Sequence, residues 1–114
     1  MEIWFDGSSD GYRAAWAAVV LQPGRKPRLI YGIGAGIPCH EVDRWAARRV
    51  LSRLRDGLAA PVMLVSDRTD NVTNPVVDSP TLAWAWRSRR HPLIRKLDRM
   101  ANRLRRAQPL PAAA

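Results

Sequence analysis

The chain has 114 residues, of which 46% are apolar and five are Trp, which excludes a disordered chain and allows one domain with one core. Its formal net charge of +9 is large for this length and points to a polyanionic partner, nucleic acid before others. No apolar run approaches the roughly 20 residues of a membrane helix. The first residues form neither a basic nor an apolar leader segment, and the single cysteine, Cys39, makes no internal disulfide. These features set the expectation of a cytoplasmic protein with no membrane partner. Cys39 reads as a small structural residue, and no Cys or His spacing suits zinc.

Residues 2–6, with Ile3, Trp4 and Phe5, read as a strand. Residues 6–11 read as a turn from their Gly, Ser and Asp content. Residues 12–22 form a second strand, Pro23-Gly24 a turn, and residues 28–34 a third strand, together an antiparallel meander. A helix is expected from about His40 to Gly57, with Ala46, Ala47, Val50, Leu51, Leu54 and Leu58 on one side and Gly57 as its stop. Residues 61–66 are almost wholly apolar and fit a strand buried on both faces. The order strand, helix, strand after a meander implies a mixed sheet with a crossover helix. Residues 68–80 read as a loop with room for one helical turn, and residues 81–87 as a fifth strand. A basic helix follows from Pro92 to Arg106, with Leu93, Leu97, Met100, Ala101 and Leu104 on one side. Residues 1–106 make the expected single domain, and 107–114 a disordered tail.

Positive charge is concentrated near the C-terminus: nine basic residues lie between Arg87 and Arg106 against one acid, Asp98. Arg95, Arg99, Arg103 and Arg106 recur at three- and four-residue spacing and so share a helix face. Such a face either tracks a phosphate backbone or is only solvated.

The acids carry the chemical argument. Asp6 follows the first strand and Asp67 the buried one, and the ends of central strands in α/β sheets are where sites form. On the wheel of the first helix Asp43 falls with Val50 and Leu54 inside the apolar stripe, whereas Glu41 faces the opposite way. Asp98 lies on the flank of the last helix's stripe. Carboxylates brought together raise one another's pKa values. A hard divalent cation, magnesium or manganese, removes that cost.

In this order the residues resemble the ribonuclease H family, in its short bacterial or phage-type form. Phe5-Asp6-Gly7-Ser8 followed by Ala15–Val20 is similar to the family's first two strands. Asp43, with Ala46 three and Leu51 eight residues on, is similar to its first helix. Val65-Ser66-Asp67 resembles its fourth strand, and Asp98-Arg99-Met100-Ala101-Asn102 its final Asp-x-x-Ala-Asn motif. The resemblance covers about residues 2–105. The family carries Glu where this chain has Asp43, so either Asp43 or Glu41 is the helix ligand, and the segment 71–80 departs from the family's pattern.

The resemblance implies an α/β fold: a five-stranded mixed sheet, strands one to three antiparallel, strands four and five parallel to strand one, with helices packed on it. It implies Asp6, Asp43, Asp67 and Asp98 as catalytic ligands of two magnesium (or manganese) ions, and hydrolysis of the RNA strand of an RNA–DNA hybrid. Arg95, Arg99, Arg103, Arg106 and His91 would be the nucleic-acid contacts, His91 also serving proton transfer or product release. From its neighbours alone, His91 is equally a surface residue beside a proline. Two rival expectations stand: a non-catalytic nucleic-acid-binding or protein-interaction module on this fold, and a nuclease or resolvase with another nucleic-acid substrate.

Overall fold

The computed structural model describes residues 1–54 and 61–110. In chain order it has strands β1 (Glu2–Ser9), β2 (Arg13–Leu21) and β3 (Arg28–Ala35), a 3-10 turn at Cys39–Glu41, helix α1 (Val42–Leu54), strand β4 (Val62–Ser66), the short helix α2 (Thr69–Thr73), strand β5 (Leu82–Trp86) and helix α3 (Pro92–Ala107). The strands form one mixed sheet in the order β3-β2-β1-β4-β5. β1 to β3 are antiparallel, and β4 and β5 run parallel to β1. The expected architecture is therefore present.

β1 is longer than its local composition suggests. Asp6-Gly7-Ser8-Ser9 reads as a turn, yet its pairing with β2 continues as far as Ser9 opposite Ala14. The inter-strand ladder outweighs the local preference of Gly and Ser. The turn itself is tighter, around Gly11 at φ 90°. Asp10 closes it, its carboxylate accepting from the backbone N–H groups of Tyr12 and Arg13 at 2.9 and 2.7 Å. Those bonds hold its carboxyl well below the usual range.

The alternation of side chains along the strands divides the core in two. Ile3 and Phe5 of β1, with Trp16, Ala18 and Leu64, pack against Ala46, Ala47, Val50, Leu51 and Leu54 of α1. Every described position of the expected α1 stripe is thus buried; Leu58 and Gly57 lie outside the described residues. The expected start at His40 is corrected: Cys39–Glu41 is the 3-10 turn, and the α-helix begins at Val42. On the edge strand β3, glycines make room for indoles: a Cβ at Gly34 would lie 2.5 Å from the Trp45 ring.

Trp4, Ala17, Val19 and Val65 face the other way and pack against Ile94, Leu97 and Ala101 of α3. Ile94, absent from the expected stripe, is fully buried, while Leu93, Met100 and Leu104 are only half-buried. The sheet takes the row Ile94–Leu97–Ala101 as the centre of contact and leaves Leu93, Met100 and Leu104 at the margin. Gln108, placed by composition in the tail, is tied down. Its side-chain amide donates to the Ala14 carbonyl at 2.8 Å, and its own carbonyl accepts from Arg13.

Candidate metal centre

The parallel strands separate where the site forms. β4 pairs with β1 only along Glu2–Trp4, so beyond Trp4 the edge of β1 that faces β4 is open. The first turn of α1 closes onto it, and the Gly7 N–H donates to Asp43 Oδ1 at 3.3 Å. This approach requires glycine: a Cβ at Gly7 would lie 2.9 Å from the Val42 carbonyl oxygen and 3.2 Å from Ala46 Cβ. By strand alternation Asp6 shares the α3 side of β1 with Ser8. Ser8 Oγ anchors that helix, donating to Asn102 Oδ1 at 2.5 Å and accepting from Arg105 Nε at 2.8 Å.

Asp67 leaves the end of β4. Its carbonyl accepts from the Trp86 indole N–H at 3.0 Å, and its Oδ2 pairs with Arg89 Nε at 3.3 Å. Its Oδ1 is buried and has no hydrogen-bond partner among the described residues. Asp6, Asp43 and Asp67 each bring a carboxylate oxygen to within 4.8 Å of the others. Three elements distant in sequence thus put three acids in one place.

Their electrostatics follow from burial and crowding. Asp6, 4% exposed, is pushed up to about 10, first by burial and then by the charges of Asp43, Asp67 and Asp98. Asp43 is pushed up to about 6 by burial and by Asp67, partly offset by hydrogen bonds from the Asp6 carboxyl and the Gly7 N–H and by Arg68. Burial and the neighbouring charges thus favour the protonated form of Asp6.

The remaining expected residues stand at varied distances from this cluster. Asp98, on the exposed flank of α3, is outside the 4.8 Å group but near enough to raise Asp6; its Oδ2 accepts from Asn102 Nδ2 at 3.4 Å. Glu41 is in the 3-10 turn, 60% exposed and facing His40 at 3.8 Å. Asp43→Asn should therefore cost far more divalent-cation affinity than Glu41→Gln, by on the order of 10- to 100-fold. Equal small losses in titrations of the two variants would detach the helix from the centre. Arg95, Arg99, Arg103 and Arg106 are all exposed on the side of α3 away from its buried row, and Arg99, Arg103 and Arg106 with Asn102 line a concavity of about 340 Å3. His91 is a helix cap: its Nδ1 accepts from the Leu93 N–H at 3.2 Å, and its ring packs on Trp4 at 4.6 Å. Cys39 is exposed, its thiol donating to the Ser9 carbonyl at 3.2 Å.

Two arginines were not legible beforehand. Arg68 Nε is 3.8 Å from Asp43 Oδ2, and Arg89 meets Asp67 across 22 residues of sequence. The adjacency of Arg68 to Asp67 was the one available signal; nothing local marked Arg89.

The donor set suits a hard divalent cation. It offers oxygen only, it includes a buried carboxylate oxygen without a partner, and its like charges are held together at a cost that a cation relieves.

A five-stranded mixed sheet in this strand order, with helices on both faces, is the ribonuclease H-like fold. The chain is similar to ribonuclease H1 of the archaeon Halobacterium salinarum NRC-1 (TM-score 0.65, 15% identity, covering 89% of this chain and 93% of that one). It is also similar to LC11 ribonuclease H1, solved in complex with an RNA/DNA hybrid (TM-score 0.67, 13% identity, 90% and 94% covered). A third likeness is the N-terminal ribonuclease H domain of a Mycobacterium tuberculosis protein, solved as a fusion with maltose binding protein (TM-score 0.61, 14% identity, 90% and 98% covered). At these identities the likeness is one of fold. No protein-family model and no curated protein matches the chain. No helix among the described residues is long and apolar enough to cross a membrane.

Proposed function

We propose that the chain is a metal-dependent endonuclease that hydrolyses the RNA strand of RNA–DNA hybrids. The observation that carries this reading is the convergence of Asp6, Asp43 and Asp67 within 4.8 Å at the open end of β1 and β4. Similarity in fold to ribonuclease H1 domains, one of them solved with an RNA/DNA hybrid, supports the substrate class.

Asp6, Asp43 and Asp67 would hold magnesium or manganese, with Asp98 completing the set, and four carboxylates match two such ions in charge. When bound, such ions would supply an activated water and stabilisation of the leaving oxygen. The protein's own residues do the rest. The Gly7 N–H orients Asp43, and Arg68 and Arg89 stand against Oδ2 of Asp43 and Asp67 at 3.8 and 3.3 Å. Burial keeps bulk water from screening the charges. Cleavage of labelled hybrid, double-stranded RNA and double-stranded DNA, each in magnesium, manganese or EDTA, tests the reading. Metal-dependent cutting confined to the hybrid supports it; no cutting in either metal overturns it.

One observation favours a second reading, a non-catalytic hybrid-binding module. Arg68 and Arg89 already place cations on Asp43 and Asp67. Hybrid binding unaffected by EDTA, without cleavage, would decide for it.

The arginine face of α3 belongs to either reading as a phosphate contact indifferent to base sequence. Replacing Arg99 and Arg103 by Gln should lower the slope of log affinity against log salt by roughly one unit per lost phosphate contact, with thermal stability little changed. The same slope in wild type and double variant would mark the face as solvated only.

A further inference from the structure

On the β5 side of the carboxylates lies a cleft of about 420 Å3, lined by Asp67, Arg68, Trp86, Ser88, Arg89 and Arg90 among others. Trp86 is its aromatic wall. The side chain is 46% exposed, although a tryptophan at a strand end is ordinarily covered. Its ring is held in place, because the indole N–H donates to the Asp67 carbonyl at 3.0 Å. A fixed aromatic surface thus stands beside the strand end that carries one acid of the candidate metal centre.

The cations around it are placed by a short turn. Ser88 Oγ accepts from the Arg90 N–H at 3.1 Å, which closes the turn that carries both Arg89 and Arg90. Arg89 is 74% exposed even while paired with Asp67. Asp67 takes its Nε, which leaves its exposed terminal nitrogens available to a further acceptor. Arg90 is exposed at the rim. A rigid indole flanked by guanidinium groups takes a base on the ring and a phosphate on the cations.

We propose that this cleft binds an unpaired nucleotide adjoining the phosphodiester at the carboxylate centre, its base stacked on Trp86 and its phosphate held by Arg89 and Arg90. The nucleotide is unpaired for a physical reason: inside a duplex both faces of a base are covered by its neighbours, and only a nucleotide outside the pairing, in a gap or a single-stranded extension, can turn its base away from the stack onto an indole. The favoured substrate is then a hybrid with a single-stranded extension or junction, rather than a long uninterrupted duplex. This inference rests on the nuclease reading for its location, and its test is a binding experiment so that the two can fail separately.

Affinity is read by fluorescence anisotropy in EDTA for a blunt RNA–DNA hybrid and for the same hybrid with a short single-stranded extension. Wild type should prefer the extended ligand about tenfold, within the range of one stacked base. Trp86→Leu should lose that preference while its affinity for the blunt hybrid is unchanged, and Trp86→Phe should keep most of it. An abasic nucleotide at the first unpaired position should cost wild type the same factor and cost Trp86→Leu nothing. Equal affinity of wild type for the two ligands overturns the proposal, as does a Trp86→Leu loss that is as large for the blunt hybrid as for the extended one. The abasic ligand decides the matter on wild type alone where Trp86→Leu does not fold. Absence of cleavage in magnesium and manganese, with the tenfold preference intact, would remove the nuclease reading and leave the cleft as a binding site.

Discussion

Asp6→Asn should abolish cleavage of the hybrid and, at the same time, raise the melting temperature of the metal-free protein. Asp6 sits at the centre of the carboxylate group, buried and facing Asp43, Asp67 and Asp98. Removing its charge removes a central metal ligand, so activity should fall on the order of 10³-fold or more, several kcal/mol of transition-state stabilisation. The folded state is burdened by the same carboxyl, since ionising it there is far harder than in the unfolded chain, where its pKa is 3.8. Asparagine keeps the shape and cannot ionise. The gain at pH 7 is a few kcal/mol at most, and each kcal/mol corresponds to roughly 3–6 °C in a domain of this size. Both halves are measurable, one by gel assay and one by calorimetry in EDTA. Full activity of the variant in magnesium would sink the metal centre. An unchanged melting temperature would show that the crowded charge is relieved in some other way.

The pH dependence of the metal-free protein should run opposite to the usual stabilisation of a folded protein by its carboxylates. Asp6 and Asp43 are raised from 3.8 to about 10 and about 6. A folded-state pKa above the unfolded one means that the native protein binds more protons, so stability falls as pH rises. The stabilising contribution of the protonated groups is complete below pH 3.8. That of Asp43 is lost between 3.8 and about 6, and that of Asp6 declines steadily from 3.8 toward 10. Thermal melts in EDTA should therefore show these two acids lowering stability between pH 4 and pH 7, and Asp6→Asn should flatten the profile. A saturating divalent cation should abolish the slope, because ligand binding requires the deprotonated acids and releases their protons. Titration calorimetry in two buffers of different ionisation enthalpy should register about one proton released at pH 7, chiefly from Asp6. No release would mean that Asp6 is already ionised in the metal-free protein.

Much of this architecture is written in local pattern. The apolar run 61–66 marked a strand buried on both faces, and Val62–Ser66 is the strand between β1 and β5. The wheel of α1 put Asp43 inside the buried stripe and Glu41 outside it, and the structure has Asp43 bonded to Gly7 while Glu41 is exposed. Asp67 does follow the end of β4, but Asp6, expected just past the first strand, lies inside β1 opposite Ala17, because the ladder with β2 continues to Ser9; what opens at Asp6 is only the pairing of β1 with β4. The rest was legible because burial on one face leaves a period in the sequence, and strand ends are marked by where that period stops.

Other features were decided only when the sheet closed. The continuation of β1 through Gly7 and Ser9 depends on β2 beside it, since Gly and Ser on their own favour a turn. The choice of Ile94 over Leu93 and Met100 as the buried centre of α3 depends on the shape of the sheet that it meets, which a helical wheel does not contain. The pairing of Arg89 with Asp67, and the exposed indole of Trp86 held to the same residue, join positions 22 and 19 residues apart. Charge attracts at short range in space whatever the separation in sequence, so ion pairs and the shifted pKa values of Asp6 and Asp43 leave no period to read. By itself the sequence determined which face of α1 is buried and in which order the strands and long helices run. The tertiary structure decided which charges meet, because only the folded chain sets the distances through which they act.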